Sequence, residues 1–201
     1  MTSPTQTTSA IVKITEPIRT ARLSLSPFTP EDEADMWDFE SRADVARFLF
    51  NEPRTREDNA RELADRCTRT SLAREGDVLL PAIRYEGRVI GWTQLIWVHE
   101  AARQGEFGYV LHPAYQGRGF AGEAAVEMLR IGFEQVGLHR IVGRCEARNT
   151  ASARVMERLG LRKEAELIDS LVFKGDWGSE CVYAMLAAEW RRTREAASGR
   201  S

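Results

Sequence analysis

Apolar residues recur at helical spacing in three stretches of the chain. Over residues 55–74 they lie three or four positions apart with charges between them, which predicts a surface helix. Over residues 121–136 the repeat i, i+3, i+4, i+7, i+8 predicts a second amphipathic helix. A third is predicted after Asn149 and ends at Leu159-Gly160, since glycine readily takes the left-handed conformation that closes a helix.

Alternating or β-rich runs predict the strands. Residues 22–28 alternate, and Thr29-Pro30 then resembles a helix start, because threonine caps a helix and proline suits its first position. Two β-rich runs flank Glu86-Gly87 and predict a hairpin. The predicted strands cover residues 22–28, 78–85, 88–98, 105–111 and 139–146.

The composition is that of a globular protein. With 201 residues, 43% of them apolar and 29% charged, the chain can form one packed domain. We expect a flexible leader over residues 1–19, a single domain over 20–190, and a helix end with a tail over 191–201. The net charge of −2 is unlike that of a general phosphate-backbone binder, so no direct nucleic-acid partner is expected.

Cysteine and histidine usage predicts no disulfide framework and no metal site. Cys67, Cys145 and Cys181 are odd in number and far apart, and the three histidines are dispersed. The first ten residues lack the features of a signal peptide, and no apolar run reaches the roughly 18 residues of a membrane helix. A cytoplasmic protein without a membrane partner is expected.

A glycine-rich loop, residues 116–122, lies between a predicted strand and a predicted helix. A helix start presents unpaired N–H groups and the positive end of the helix dipole, which suits phosphate, although a ligand-free tight turn would also use glycine. Gly117, Gly119 and Gly122 also spell the dinucleotide fingerprint. That pattern fits poorly, because five residues separate Leu111 from Gly117 and the expected acidic position is Val142.

Ser152 shares a face of its predicted helix with apolar residues that would face the core, namely Val155, Met156 and Leu159. A buried hydroxyl needs a hydrogen-bond partner. A carbonyl of its own helix would serve as well as a ligand.

The order of these pieces resembles the GNAT superfamily of acyl-CoA-dependent N-acetyltransferases, and within it the ribosomal-protein acetyltransferase branch of the RimJ/RimL type. The resemblance runs from about Thr20 to Trp190. It rests on Arg22-Leu23-Ser24-Leu25, on residues 105–111 and 115–121, on Asn149, Ser152 and Gly160, and on Gly175-Asp176-Trp177 and residues 183–186. It implies an α/β (α+β) fold with a mixed, mostly antiparallel central sheet, splayed at the cofactor site, with helices on both faces.

The resemblance also implies the cofactor site. The backbone amides of residues 116–121 would hold the pyrophosphate of acetyl-CoA, the pantetheine would lie where two strands diverge, Asn149 would contact it, and Ser152 would lie beside the sulfur. The cofactor-binding residues expected are Tyr109, Val110, Leu111, Gln116, Gly117, Arg118, Gly119, Phe120, Ala121, Asn149 and Ser152.

Acetyl transfer to an amine needs a base for the amine, donors for the oxyanion and an acid for the thiolate. Glu106 is the candidate base, alone or through water; a solvated or salt-bridged carboxylate is the alternative. A backbone N–H near Val110 or Leu111 would serve the oxyanion. Many family members carry a tyrosine as acid seven residues after the asparagine, but that position is Met156 here, so Ser152 or solvent would donate instead.

By family pattern the acceptor site involves residues 37–51 and 167–178. The acidic residues 31–40 would attract a cationic amine, or they form an ordinary solvated helix face. Aromatic residues there, Trp37, Phe48, Phe50 and Trp177, would line a pocket or belong to the core. The implied acceptor is a protein N-terminal α-amine or a small-molecule amine, and a homodimer is the family's habit. A non-catalytic acyl-CoA-binding regulatory module and an NAD-binding module are the competing hypotheses.

Overall fold

The computed structural model describes residues 12–198. Six helices are α1 (Glu33–Glu40), α2 (Ala43–Ala46), α3 (Arg56–Arg66), α4 (Phe120–Arg130), α5 (Thr150–Arg158) and α6 (Ala187–Ser198). The strands are β1 (Val12–Lys13), β2 (Ile18–Arg19), β3 (Ser24–Ser26), β4 (Ser71–Leu72), β5 (Val78–Leu79), β6 (Ala82–Tyr85), β7 (Arg88–His99), β8 (Gln104–Leu111), β9 (Arg140–Glu146), β10 (Arg162–Phe173) and β11 (Asp176–Leu186). No helix in this part of the chain is both long and apolar enough to cross a membrane.

The central sheet is mixed and mostly antiparallel, as predicted. Its strand order is β10-β11-β9-β8-β7-β6-β3-β2, with β5 also paired to β7. Among these pairings only β8 with β9 is parallel, and α4 lies in the connection between the two strands. A parallel pair needs such a crossover, so the helix that follows the glycine-rich loop is fixed against the middle of the sheet.

Helices cover both faces of the sheet, as predicted, and successive residues of β8 show this. Val110 belongs to a buried cluster with Met36 and Leu63 from α1 and α3. Leu111 belongs to another, with Met128 from α4 and Met156 from α5. Because side chains alternate along a strand, the two clusters lie on opposite faces.

A buried ionic network joins α1 and α3 to β7. Glu40 and Arg66 are only 1% and 2% exposed, and their side chains lie 2.8 Å apart. Glu40 also accepts from the indole N–H of Trp92 at 2.8 Å and from Arg54 at 3.1 Å. These contacts satisfy a carboxylate that could not otherwise be buried.

The predicted helix over residues 55–74 is too long. The α3 helix ends at Arg66, and Leu72 lies in β4, which pairs with β1. The position of Leu72 continues the helical spacing, but Leu72 is a buried core residue of a strand and pairs with Val12. Tertiary pairing here overrides local periodicity.

The prediction of a flexible leader over residues 1–19 is wrong for residues 12–19. Val12 and Ile14 are buried, and Ile18 pairs with Leu25 of β3. Residues 1–11 lie outside the described residues. At the other end α6 extends to Ser198, so residues 191–198 are helical, and the remainder of the expected tail lies outside the described residues.

Candidate active site

The glycine-rich loop is fastened to the end of β8. The side-chain amide of Gln116 donates to the carbonyl of Leu111 at 3.0 Å, and His112 Nδ1 accepts from the Ala114 N–H at 3.0 Å. Beyond Gln116 the backbone is left-handed at Gly117 (φ +73°) and Gly119 (φ +82°). Only glycine takes this conformation without a steric cost, which explains both residues.

Five consecutive amide groups at this loop are available to a ligand. Among the hydrogen bonds of residues 12–198, none uses the backbone N–H of residues 117–121 as donor. The amides end at the first turn of α4, where the helix dipole is positive. The loop therefore fits a pyrophosphate, which would accept from such a row of N–H groups.

Two arginine side chains lie beside the loop. Arg22 donates to the carbonyl of Arg118 at 2.9 Å and pairs with Glu123 of α4 at 2.7 Å. The Arg118 guanidinium lies over the Phe120 ring, 4.8 Å from its centre. The sequence gives no signal for this role of Arg22, because its partners lie about a hundred positions further along the chain.

The third glycine of the dinucleotide fingerprint has no packing role. Apart from its chain neighbours and the backbone of its own helix, no heavy atom of the described residues lies within 4 Å of the position that a Cβ on Gly122 would occupy. In a dinucleotide-binding fold that glycine permits close packing of helix against strand. The open space at Gly122 therefore does not support a dinucleotide-binding loop.

The strands β8 and β9 diverge below the loop. Their pairing ends at Phe107 with Gly143, and from Gly108 onward β8 is paired only with β7. The His112 N–H donates to Ile90 of β7, so by the alternation of an antiparallel ladder the Val110 N–H also points to β7. The N–H groups of Tyr109 and Leu111 point into the gap. The structure therefore brings these two residues to the gap, but not Val110, whose side chain is buried on the other face.

Glu106 lies at the start of the gap, on the face of β8 opposite Phe107 and Tyr109. Arg144 of β9 donates to it, with Nε 3.2 Å from Oε2, and the same guanidinium is 2.6 Å from Glu180 of β11. Burial raises the pKa of Glu106 above its ordinary value, while the charge of Arg144 opposes this rise. The carboxylate is partly exposed, and it is also part of the salt bridge considered as the alternative.

Ser152 lies across the gap, at the start of α5. Its N–H donates to the side-chain oxygen of Asn149 at 3.1 Å, so Asn149 caps the helix. Its hydroxyl is 3.0 Å from the Tyr109 hydroxyl, and within the described chain it makes no bond to a helix carbonyl. Met156, one turn further, is buried beneath the helix. The alternative of a back-bonded serine is thus not observed.

Residues 37–51 and 167–178, the two regions expected at the acceptor site, are in contact with each other. Phe50 packs edge-on against Phe173, with ring centres 5.6 Å apart, and Lys174 donates to the carbonyl of Asn51 at 3.0 Å. Phe50 and Trp177 are 76% and 68% exposed, so neither belongs to the core.

The acids at the start of the domain are largely paired with arginines. Asp32 accepts from Arg84, and Asp35 and Asp38 accept from Arg88. These pairs favour a structural role over the attraction of a cationic substrate.

Comparison with known proteins agrees with this geometry. The family described as acetyltransferase (GNAT) domain matches residues 22–162. The uncharacterized N-acetyltransferase YnaD of Bacillus subtilis is 31% identical over 86% of this chain and 98% of its own. Spermidine N(1)-acetyltransferase of Escherichia coli is 24% identical over 77% of this chain and 81% of its own. The crystal structure of a GNAT-family acetyltransferase from Bacillus anthracis superposes with a TM-score of 0.75, at 27% identity, over 87% of this chain and 100% of that one.

The fold is that of an N-acetyltransferase, an acyltransferase that acts on amines. The chain belongs to the GNAT family of N-acetyltransferases.

Proposed function

We propose that this protein transfers an acetyl group directly from acetyl-CoA to a primary amine. The observation that carries the proposal is the row of five backbone N–H groups without a hydrogen bond, residues 117–121, in the loop that follows β8 where that strand has diverged from β9. Such an arrangement suits a ligand with a pyrophosphate at one end and an extended polar arm. Acetyl-CoA has this shape, and when bound it supplies the acetyl thioester.

The chain's own residues supply the remaining chemistry. Glu106 accepts the proton of the attacking amine, directly or through water. The N–H of Tyr109 or Leu111, which points into the gap, donates to the developing oxyanion. Ser152, on the other side of the gap, donates to the departing thiolate.

The acceptor is a protein N-terminal α-amine or a small-molecule amine. The likeness to a spermidine acetyltransferase supports the second choice, and the residues resembling the RimJ/RimL branch support the first. The exposed rings of Phe50 and Trp177, in the two regions expected at the acceptor site, offer apolar surface that suits either acceptor.

The proposal is tested by turnover of acetyl-CoA with a panel of amines. The release of free CoA thiol is followed with a thiol reagent, and the acetylated product is identified by mass spectrometry. The panel contains polyamines, other small primary amines and peptides with free N-termini. Transfer to one class identifies the acceptor, whereas acetyl-CoA binding without turnover on any member would favour the regulatory module.

We also propose that the protein acts in the cytoplasm. Support comes from Cys67, Cys145 and Cys181, which are all free thiols in the structure, as a reducing compartment would keep them.

A further inference from the structure

The hydroxyl of Tyr109 is within hydrogen-bond distance of the Ser152 hydroxyl, although the two residues lie 43 positions apart. It reaches Ser152 Oγ at 3.0 Å and the Ser152 carbonyl at 3.2 Å. Among the residues of α5 that face the sheet, which are Ser152, Val155, Met156 and Leu159, only Ser152 carries an O–H group. Ser152 is therefore the one hydroxyl donor among these sheet-facing residues of α5.

Two arrangements of the shared protons are compatible with these distances. If Tyr109 donates to the Ser152 carbonyl, Ser152 donates back to the phenol and its proton is unavailable. If Tyr109 donates to Ser152 Oγ, the serine proton is free to point into the gap. The Ser152 N–H is already held by Asn149, so the serine backbone stays fixed in both cases.

We propose that Tyr109 is a positioning residue that donates to Ser152 Oγ and so turns the serine proton toward the sulfur of the bound thioester. This inference rests on the proposed function. During transfer the N–C bond forms and the C–S bond breaks with its electron pair on sulfur. Ser152 donates a hydrogen bond to that sulfur, Tyr109 donates to Ser152, and the proton lost by the amine passes to Glu106 and then to solvent or to the thiolate.

The surroundings of Tyr109 keep it a donor throughout. Burial raises the pKa of the Tyr109 phenol to about 12, so it remains protonated at neutral pH. The neighbouring Cys145 thiol is neutral for the same reason, because burial raises its pKa to about 12 as well. No anion therefore competes with Ser152 for the phenol proton at this position in the described structure.

Tyr183 provides a matched control. It lies on the same face of the sheet, and its hydroxyl also bonds to α5, at Glu157 Oε1 and 3.2 Å. Tyr183→Phe thus removes a similar anchor of the helix without touching Ser152. If the Tyr109 hydroxyl only held α5 in place, Tyr109→Phe and Tyr183→Phe should lower the activity to the same extent.

The test is a double-mutant cycle with Tyr109→Phe and Ser152→Ala. In the wild-type background Tyr109→Phe should lower kcat about tenfold and leave KM for acetyl-CoA unchanged. A tenfold loss is expected because the variant lacks one hydrogen bond that strengthens as charge develops on the sulfur. In the Ser152→Ala background the same change should have no further effect on kcat, and Tyr183→Phe should leave kcat unchanged. An equal loss in both backgrounds, or an equal loss in Tyr183→Phe, would overturn the proposal.

A second readout requires no acceptor amine. The ratio of affinities for CoA and desulfo-CoA measures the contact with sulfur, and it should fall in Tyr109→Phe and in Ser152→Ala but not in Tyr183→Phe. A wild-type chain that binds neither acetyl-CoA nor CoA would overturn the proposed function together with this inference. A wild-type chain that turns over, with a Tyr109→Phe variant unchanged in rate and in this ratio, would overturn the inference alone.

Discussion

Arg144 and Glu106 face each other where β8 and β9 begin to diverge, with the guanidinium Nε 3.2 Å from the carboxylate. The guanidinium is shared, because Glu180 accepts from its other side at 2.6 Å. One cation between two carboxylates holds Glu106 in place while leaving part of its surface exposed. An amine that approaches Glu106 must therefore meet a carboxylate whose proton affinity is set jointly by burial and by Arg144.

Glu106→Gln should abolish turnover and spare cofactor binding. Glutamine keeps the shape of the side chain but cannot accept the amine proton, so kcat should fall by about 100-fold or more. The measurement is steady-state kinetics together with a calorimetric titration of acetyl-CoA. Glu180→Gln is the matched control, since it alters the other partner of Arg144 and should retain most of the activity. An unchanged rate in Glu106→Gln would remove Glu106 from the mechanism.

Arg144→Gln should move the acid limb of the pH profile to higher pH. Arg144 lowers the pKa of Glu106, so its removal lets burial raise that pKa further. The base works only when ionised, and activity is lost as pH falls through its pKa. The loss should therefore begin at a higher pH in the variant, as measured by kcat/KM across pH. Arg140→Gln, on the same strand but paired with Glu164, should leave the limb in place, and a limb that moved equally in both variants would contradict this account.

Gly119→Ala and Gly122→Ala should differ in their effect on acetyl-CoA affinity. Gly119 is left-handed, so alanine there costs about 1 to 2 kcal/mol and distorts the amide row, and affinity should fall on the order of tenfold. Gly122 is helical with open space beside it, so alanine should preserve affinity and raise stability by roughly 1 kcal/mol. Both are measured by titration and thermal melting. Loss of acetyl-CoA binding in Gly122→Ala, with binding retained in Gly119→Ala, would contradict this prediction.

Glu40→Gln should destabilise the fold strongly. The buried Arg66 would lose its ion pair with Glu40 and keep only the one with Glu62, and breaking a buried pair costs about 3 to 5 kcal/mol of unfolding free energy. Asp44→Asn, which removes an exposed pair with Arg42, should cost roughly 0 to 1 kcal/mol. Denaturant titrations of the two variants provide the comparison. Equal losses would mean that the buried network contributes no more than a surface pair.

The sequence patterns predict those features of the structure that depend only on residues close together in the chain. The alternation of residues 105–111, the glycines before α4 and the closing Gly160 each express a short-range preference, and the structure places them as expected. The predicted helix includes Leu72 wrongly, because both an amphipathic helix and a buried strand would have an apolar residue at this position.

The side-chain partners at the site could not be predicted from the sequence. Arg144 lies 38 positions from Glu106, and Ser152 lies 43 from Tyr109. Only the pairing of β8 with β9 and the packing of α5 bring these groups together. The sequence therefore indicated which residue types the chemistry requires, but not the groups that set their proton affinity and orientation.

Thermal melting tests most directly whether the loop and the gap bind acetyl-CoA. A ligand that binds only the folded chain, present at about 100 times its Kd, stabilises it by roughly 2.7 kcal/mol, which raises Tm by about 5 to 10 °C for a chain of this length. We expect this rise with acetyl-CoA and none with NAD at the same concentration. A rise with NAD alone, or with neither ligand, would contradict the assignment of the site.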